Sequence, residues 1–255
     1  MSEKPVILII GGGWHTPASY AKLTNALKDA GYEVHCPAHA SVSSKRPPVA
    51  GLKEDTAAIR NHVEDLLQTG KRLLVIAHSY GGQLASNSLY GQSVESRAAR
   101  GLSGGVAMLI YMCAFALEEG RSMVDQVTEA GHGDLMPIAF KFAEDMTVEC
   151  ADPRAQLIGE SIDDDLANEY LSTLELWNGQ CMYDGIEHSA WKELPVAYIS
   201  THLDACVPLD YQKTMIERLR NTGREVKVLD LPNSGHCPNF TATDEIVDFV
   251  KTVIA

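Results

Sequence analysis

Leu73-Leu74-Val75-Ile76-Ala77-His78-Ser79-Tyr80-Gly81-Gly82 decides how this chain reads. Residues 73–77 are consecutively apolar, the pattern of a strand covered on both faces rather than one that alternates toward water. A helical pattern over residues 80–90 follows directly. A serine on such a strand-to-helix turn needs small residues two positions before and after it, because the sharp turn leaves no room for side chains there. Ala77 and Gly81 hold those positions. Glycine is the usual residue at the first of them, and alanine meets the same steric demand. The turn would present the Ser79 hydroxyl at the carboxyl end of a sheet, with the Tyr80 backbone N–H pointing into the same space. A plain serine-glycine loop is the competing reading, and the flanking strand and helix weigh against it.

The pattern repeats on both sides of this stretch. Short apolar runs at 6–10, 33–36, 106–112, 196–200 and 226–229 read as strands. Together with 73–77 they predict six. Amphipathic segments at 19–30, 52–68, 80–90, 211–221 and 244–253 read as helices, with Gly31 and Gly70 as stops. Pro37, Pro47 and Pro48 mark 37–50 as loop. Strands alternating with helices predict an α/β fold with a mostly parallel sheet and helices on both faces. Between Phe115 and Trp191 the alternation lapses into an acidic stretch, densest at Asp163-Asp164-Asp165, whose helical patterns lead to no evident strand. Residues 116–191 therefore read as a helical lid inserted into one domain spanning 1–255.

The 255 residues carry 21 Lys and Arg against 34 Asp and Glu, a net charge of −13. Such a chain repels nucleic-acid backbones and anionic membrane surfaces, so neither is expected as a partner. A small-molecule substrate is expected instead, and the protomer reads equally as a monomer or half of a homodimer. Six cysteines, Cys36, Cys113, Cys150, Cys181, Cys206 and Cys237, form no C-x-x-C pair and read as buried thiols. The apolar run at 6–10 is too short for a signal-peptide core or a membrane span, so the expected location is the cytoplasm.

A serine nucleophile needs a base, since its own hydroxyl does not ionise at neutral pH. Of nine histidines, His236 is the best placed, following the last predicted strand in Pro232-Asn233-Ser234-Gly235-His236. His78 would point away from Ser79 and reads as structural. His35 and His39 resemble a metal pair, but no third ligand lies nearby in sequence, so no metal and no cofactor are expected. The base needs an orienting carboxylate. Asp204, directly after the fifth strand, fits better than Asp210, Glu118 or Glu119. Gly11-Gly12-Gly13-Trp14, after the first strand, lets backbone approach a reacting carbon closely; it lacks the third glycine of a dinucleotide-binding turn. Gly13 and Tyr80 are the expected N–H donors to an oxyanion. Trp14, His15, Phe115 and Trp177 are the expected pocket walls, with Tyr80, Phe140, Phe142 and Leu176 nearby.

These motifs resemble the α/β-hydrolase superfamily, and within it the group of plant methylesterases and hydroxynitrile lyases with related bacterial and fungal esterases. Gly11-Gly12-Gly13-Trp14-His15 looks like that group's His-Gly-Ala-Trp-His loop, and Ala77-His78-Ser79-Tyr80-Gly81-Gly82 like its nucleophile turn. Tyr111-Met112-Cys113-Ala114-Phe115 and Asp204-Ala205-Cys206-Val207-Pro208 match its fourth strand end and acid loop. The resemblance implies a Ser79, Asp204, His236 triad, an oxyanion donor at Gly13 and a lid after the fourth strand. Gly11 replaces the loop's usual His. Hydroxynitrile lyases of the group carry Thr in the first loop and Lys after the catalytic His, where this chain has Gly12 and Cys237, so ester hydrolysis is the expected chemistry. Lactone, thioester or carbon–carbon hydrolysis on the same triad, and a non-hydrolytic ligand receptor, are the alternatives.

Overall fold

Strands that run apolar without interruption have to be covered on both sides, and the computed structural model shows how. It describes residues 4–159 and 161–254. The outermost ends of the span 1–255 (residues 1–3 and 255), and residue 160 of the span 116–191, lie outside the described residues. Nine strands are present among the described residues: β1 (Val6–Ile10), β2 (Val34–His35), β3 (Arg72–His78), β4 (Gly105–Met112), β5 (Phe140–Phe142), β6 (Thr147–Cys150), β7 (Trp177–Asn178), β8 (Val196–Thr201) and β9 (Lys227–Leu231). Six of them make the main sheet in the order β2-β1-β3-β4-β8-β9. Every pairing in it is parallel.

Side chains on successive strand residues go to opposite faces, and the core divides accordingly. Leu8, Ile10, Val75 and Ala77 pack with Ile59 and Val63 of helix Leu52–Gln68, Leu84 of helix Gly81–Ser88, and Met215 and Leu219 of helix Leu209–Arg220. Ile7, Ile9, Leu74 and Ile76 pack with Leu23 and Leu27 of helix Ala21–Asp29, and Ile246 and Val250 of helix Thr243–Val253. Five helices thus cover two faces.

The segment between β4 and β8 departs from the helical expectation. It holds short helices, among them Met123–Glu129 and Asp164–Leu171, but also the antiparallel sheet β5-β6-β7. Those strands are only two to four residues long, too short for a period-2 pattern to stand out in the sequence. The acidic run has a local role, since Asp163 caps Asp164–Leu171 by accepting from the N–H groups of Asp165 and Leu166. All six cysteines are free; four are buried, while Cys36 and Cys206 are only half-buried.

Two features fix the carboxyl end of the sheet. A Cβ on Gly81 would lie 2.2 Å from the Ile10 carbonyl oxygen, and one on Gly82 would lie 2.5 Å from that of Phe115. The turn after β3 is thereby wedged between the chains leaving β1 and β4. His15, 2% exposed, ties the loop after β1 to the loop after β9: Nδ1–H donates to the Gly13 carbonyl at 2.6 Å, and Nε2 faces Cys237 Sγ at 3.3 Å. Burial pushes the His15 imidazole down to about 3.

Gly81→Ala is expected to lower unfolding free energy by about 3 kcal/mol or more, because backbone cannot yield to the added methyl. Gly133→Ala, exposed and with only Thr128 Oγ1 at 3.8 Å, should stay within about 0.5 kcal/mol by the same denaturation assay. The depressed His15 value sets a pH dependence. The unfolded chain takes up a proton at His15 near pH 6.5 and the folded chain only near 3, so stability is complete above 6.5 and falls with pH across that window, by up to about 1.4 kcal/mol per unit. Denaturation at pH 7.5 and 5.5 should show this loss, and His15→Gln should reduce it.

Candidate active site

The backbone at Ser79 sits in the left-handed region, φ +54°, between β3 and helix Gly81–Ser88. A non-glycine residue adopts that conformation only where its surroundings enforce it. Here Ser79 N–H donates to the Met112 carbonyl, while its own carbonyl accepts from Gly82 N–H and Phe115 N–H. The side chain lines a cavity of about 30 Å³, room for about one water. Its other walls are Trp14, Phe115, Met123, Val127, Met136, Phe140, Trp177, Met182, Cys206 and Val207, with no ionised group among them.

Asp204 and His236 come together from the loops after β8 and β9. His236 Nδ1 lies 2.8 Å from Asp204 Oδ2, with both side chains at most 1% exposed. The carboxylate is held from further directions: Oδ1 accepts from Cys206 N–H at 2.8 Å and Val207 N–H at 2.7 Å, and Oδ2 accepts from Thr201 Oγ1 at 3.1 Å. Because Nδ1–H donates to Asp204 Oδ2, Nε2 of a neutral His236 keeps its lone pair. No hydrogen bond joins Ser79 Oγ to Nε2 in this structure. Such contacts are commonly loose before substrate binds.

The two expected oxyanion donors share one property. Among the described residues, neither Gly13 N–H nor Tyr80 N–H donates to any protein group. The Tyr80 side chain is turned away from the cavity, its hydroxyl donating to Asp55 Oδ2 at 3.1 Å, and Asp55 is fully buried and also held by Ser41 N–H and Oγ. Gly13 packs so closely on the Trp177 ring that a Cβ would come within 2.5 Å. Trp14 is also left-handed, φ +63°, and its indole N–H donates to the Val148 carbonyl of β6 at 2.8 Å.

Trp14, Phe115 and Trp177 line the cavity, as does Phe140. His15 does not: its ring is engaged with Gly13 and Cys237 behind the loop, a contact made across the fold that sequence position does not disclose. Tyr80, Phe142 and Leu176 are likewise absent from the lining. Cys206 and Val207, also in the lining, lie two and three residues after Asp204, and nothing in their residue types marks them as pocket walls. Met123, Met136 and Met182 carry no sequence signal, since an unbranched apolar chain suits a core equally well.

His35 and His39 do not converge. His35 Nε2 meets Glu33 at 3.0 Å near the surface, whereas buried His39 Nε2 donates to the Gly11 carbonyl at 3.1 Å. Among the described residues the one cluster of metal-ligand type is His78, Cys113 and His236, and its ring nitrogens are largely committed. His78 bonds Tyr20 and the His236 carbonyl, and His236 Nδ1 bonds Asp204. Among the described residues, Asp210, Glu118 and Glu119 form no hydrogen bond or ion pair with His236; Glu119 instead meets Ser189 and Lys192.

The chain is similar to known proteins along nearly its whole length. The chain is 28% identical over 249 residues to the probable hydrolase R7 of a Phoma species, covering 97% of each chain. It is 27% identical to the alpha/beta hydrolase nvfD of Aspergillus novofumigatus, covering 97% of this chain and 96% of that one. Its fold superposes on polyneuridine aldehyde esterase with a TM-score of 0.77 at 13% identity, covering 99% and 100% of the two chains. For the methylesterase MES16 from Arabidopsis the TM-score is 0.74 at 15% identity, with 98% and 99% covered. These two likenesses are of fold. The family model for the alpha/beta hydrolase family matches residues 7–249, and this chain belongs to that family.

Proposed function

We propose that the protein is a serine hydrolase that cleaves a medium-sized, mostly apolar carboxylic ester through an acyl-enzyme. The observation that carries this reading is the buried Asp204–His236 pair, bonded at 2.8 Å, at the same sheet end as the left-handed Ser79, whose side chain opens on an apolar cavity. In the first half-reaction Ser79 Oγ bonds the ester carbon as His236 Nε2 takes its proton. The oxyanion then sits against Gly13 N–H and Tyr80 N–H. Collapse breaks the bond to the alcohol, which leaves with the proton from Nε2. Water then attacks the acyl-enzyme by the same route, giving the carboxylic acid and restoring Ser79. Asp204 keeps the imidazole in the required tautomer throughout.

Residues 1–255 on this reading form one domain, and 116–191 act as its lid. Six of the cavity walls, Met123, Val127, Met136, Phe140, Trp177 and Met182, come from that segment. A space of about 30 Å³ holds no ester of useful size, so substrate enters only as the segment shifts. Methionines suit such a wall because their flexible, polarisable chains repack around different shapes. The absence of ionised groups from the lining favours uncharged acyl and alcohol groups.

Ser79→Ala and His236→Ala should each lower kcat/KM for an apolar aryl ester by about 10³-fold or more, and Asp204→Asn by about 10³- to 10⁴-fold. A panel of esters and lactones assayed with wild type and Ser79→Ala checks this. A wild-type rate in Ser79→Ala, or a preference for short, highly charged esters, would overturn the reading.

A further inference from the structure

The hydrolase reading leaves two buried side chains without a role, Tyr20 and His78, which are 1% and 0% exposed. They lie end to end. Gly12 N–H donates to Tyr20 Oη at 2.8 Å, Tyr20 Oη lies 2.6 Å from His78 Nδ1, and His78 Nε2 lies 2.8 Å from the His236 carbonyl oxygen.

The direction of every bond in this chain is determined. A backbone N–H only donates, so Tyr20 Oη accepts from Gly12 and has its own proton free for His78 Nδ1. A carbonyl only accepts, so the proton of a neutral His78 must sit on Nε2. Both ends agree on one tautomer. A second proton on His78 would leave the Tyr20 hydroxyl proton without its Nδ1 acceptor, and burial already drives the imidazole toward its neutral form. The ring is also boxed in by other imidazoles, His15 at 5.1 Å and His236 at 4.9 Å between centroids.

The ends of the chain matter more than its middle. Gly12 immediately precedes Gly13, whose N–H is the proposed oxyanion donor. His236 is the proposed base, and His78 is bonded in sequence to Ser79. The loop after β1, the turn after β3 and the loop after β9 are three separate pieces of backbone, and the chain through Tyr20 and His78 reaches all of them. Gly12 itself has no slack: a Cβ there would lie 3.0 Å from Ser79 Cβ and 3.1 Å from His78 Nδ1. Resting on the hydrolase reading, we propose that Tyr20 and His78 are positioning residues, a one-directional hydrogen-bond strut that sets the oxyanion donor at Gly13 relative to Ser79 and His236. Neither touches substrate. Both act by fixing where the N–H points when charge develops on the substrate oxygen.

Tyr20→Phe keeps the ring and removes the one atom that joins Gly12 to His78. An oxyanion donor displaced by a fraction of an ångström should cost kcat between about tenfold and a hundredfold while leaving ground-state binding alone. The expected result is therefore a lowered kcat with unchanged KM, and affinity for a trifluoromethyl ketone, whose adduct carries the oxyanion, reduced by the same factor as kcat/KM. A merely structural role would lower the melting temperature of Tyr20→Phe with kcat and ketone affinity intact, and that result overturns the proposal. Should Tyr20→Phe not fold, nitrogen-15 spectra of the wild-type imidazoles decide: His78 must be neutral with its proton on Nε2, and an Nδ1–H or cationic His78 at neutral pH rejects the strut. A fluorophosphonate probe separates the layers. Absence of wild-type labelling overturns the hydrolase reading and the positioning role with it. Labelling that disappears in Ser79→Ala, combined with an unaltered kcat in Tyr20→Phe, overturns the positioning role alone.

Discussion

Everything at the site depends on how closely three backbones meet at the end of β3. The left-handed turn at Ser79 persists because Gly81 lies against the carbonyl leaving β1 and Gly82 against the carbonyl at Phe115 beyond β4. Neither contact admits a side chain. The same wedge sets the loop after β1 against the turn after β3, where a Cβ on Gly12 would lie 3.0 Å from Ser79 Cβ, and among the described residues neither Gly13 N–H nor Tyr80 N–H has a protein partner. Packing of glycine against carbonyl oxygen thus does work that no single polar contact at the site does.

Above that wedge the interior is divided between apolar and polar regions. The cavity walls are methionines, aromatic rings and valine, with half-buried Cys206 as the one thiol. Behind it lie His15, His78 and His236, all 2% exposed or less and each bonded to backbone or carboxylate. Buried imidazoles bonded in this way bring hydrogen-bond direction into the core, and for His15 and His78 burial also disfavours the charged form. The net charge of −13 lies elsewhere, in part on the exposed run Asp163-Asp164-Asp165, where Asp163 caps a helix. In the proposed reaction a neutral ester enters an uncharged cavity and an acid leaves it, so ionisation of the product favours its departure.

The sheet was legible because strands such as Val6–Ile10 and Arg72–His78 are nearly all apolar and the helices between them are long. Ser79, Asp204 and His236 could be chosen because each falls just after a strand, and parallel strands put those positions at one edge. The antiparallel sheet β5-β6-β7 was not legible, since its partners lie as far apart as Val148 and Trp177 and each strand is too short to show a period. His15 was misplaced for a related reason. Its neighbours in sequence suggest a pocket wall, whereas its position is set by Cys237, 222 residues away. The bonds of His78 are not legible either, because its two partners, Tyr20 and the His236 carbonyl, are also remote in sequence.

The central claim is that the hydroxyl on the strained turn is the nucleophile, and the most direct test is the position of a covalent adduct. Wild-type protein treated with a fluorophosphonate and digested should yield a single modified peptide carrying the adduct on Ser79, with ester hydrolysis lost in proportion to its formation. Modification at another residue, or full loss of hydrolysis with Ser79 unmodified, would contradict the account.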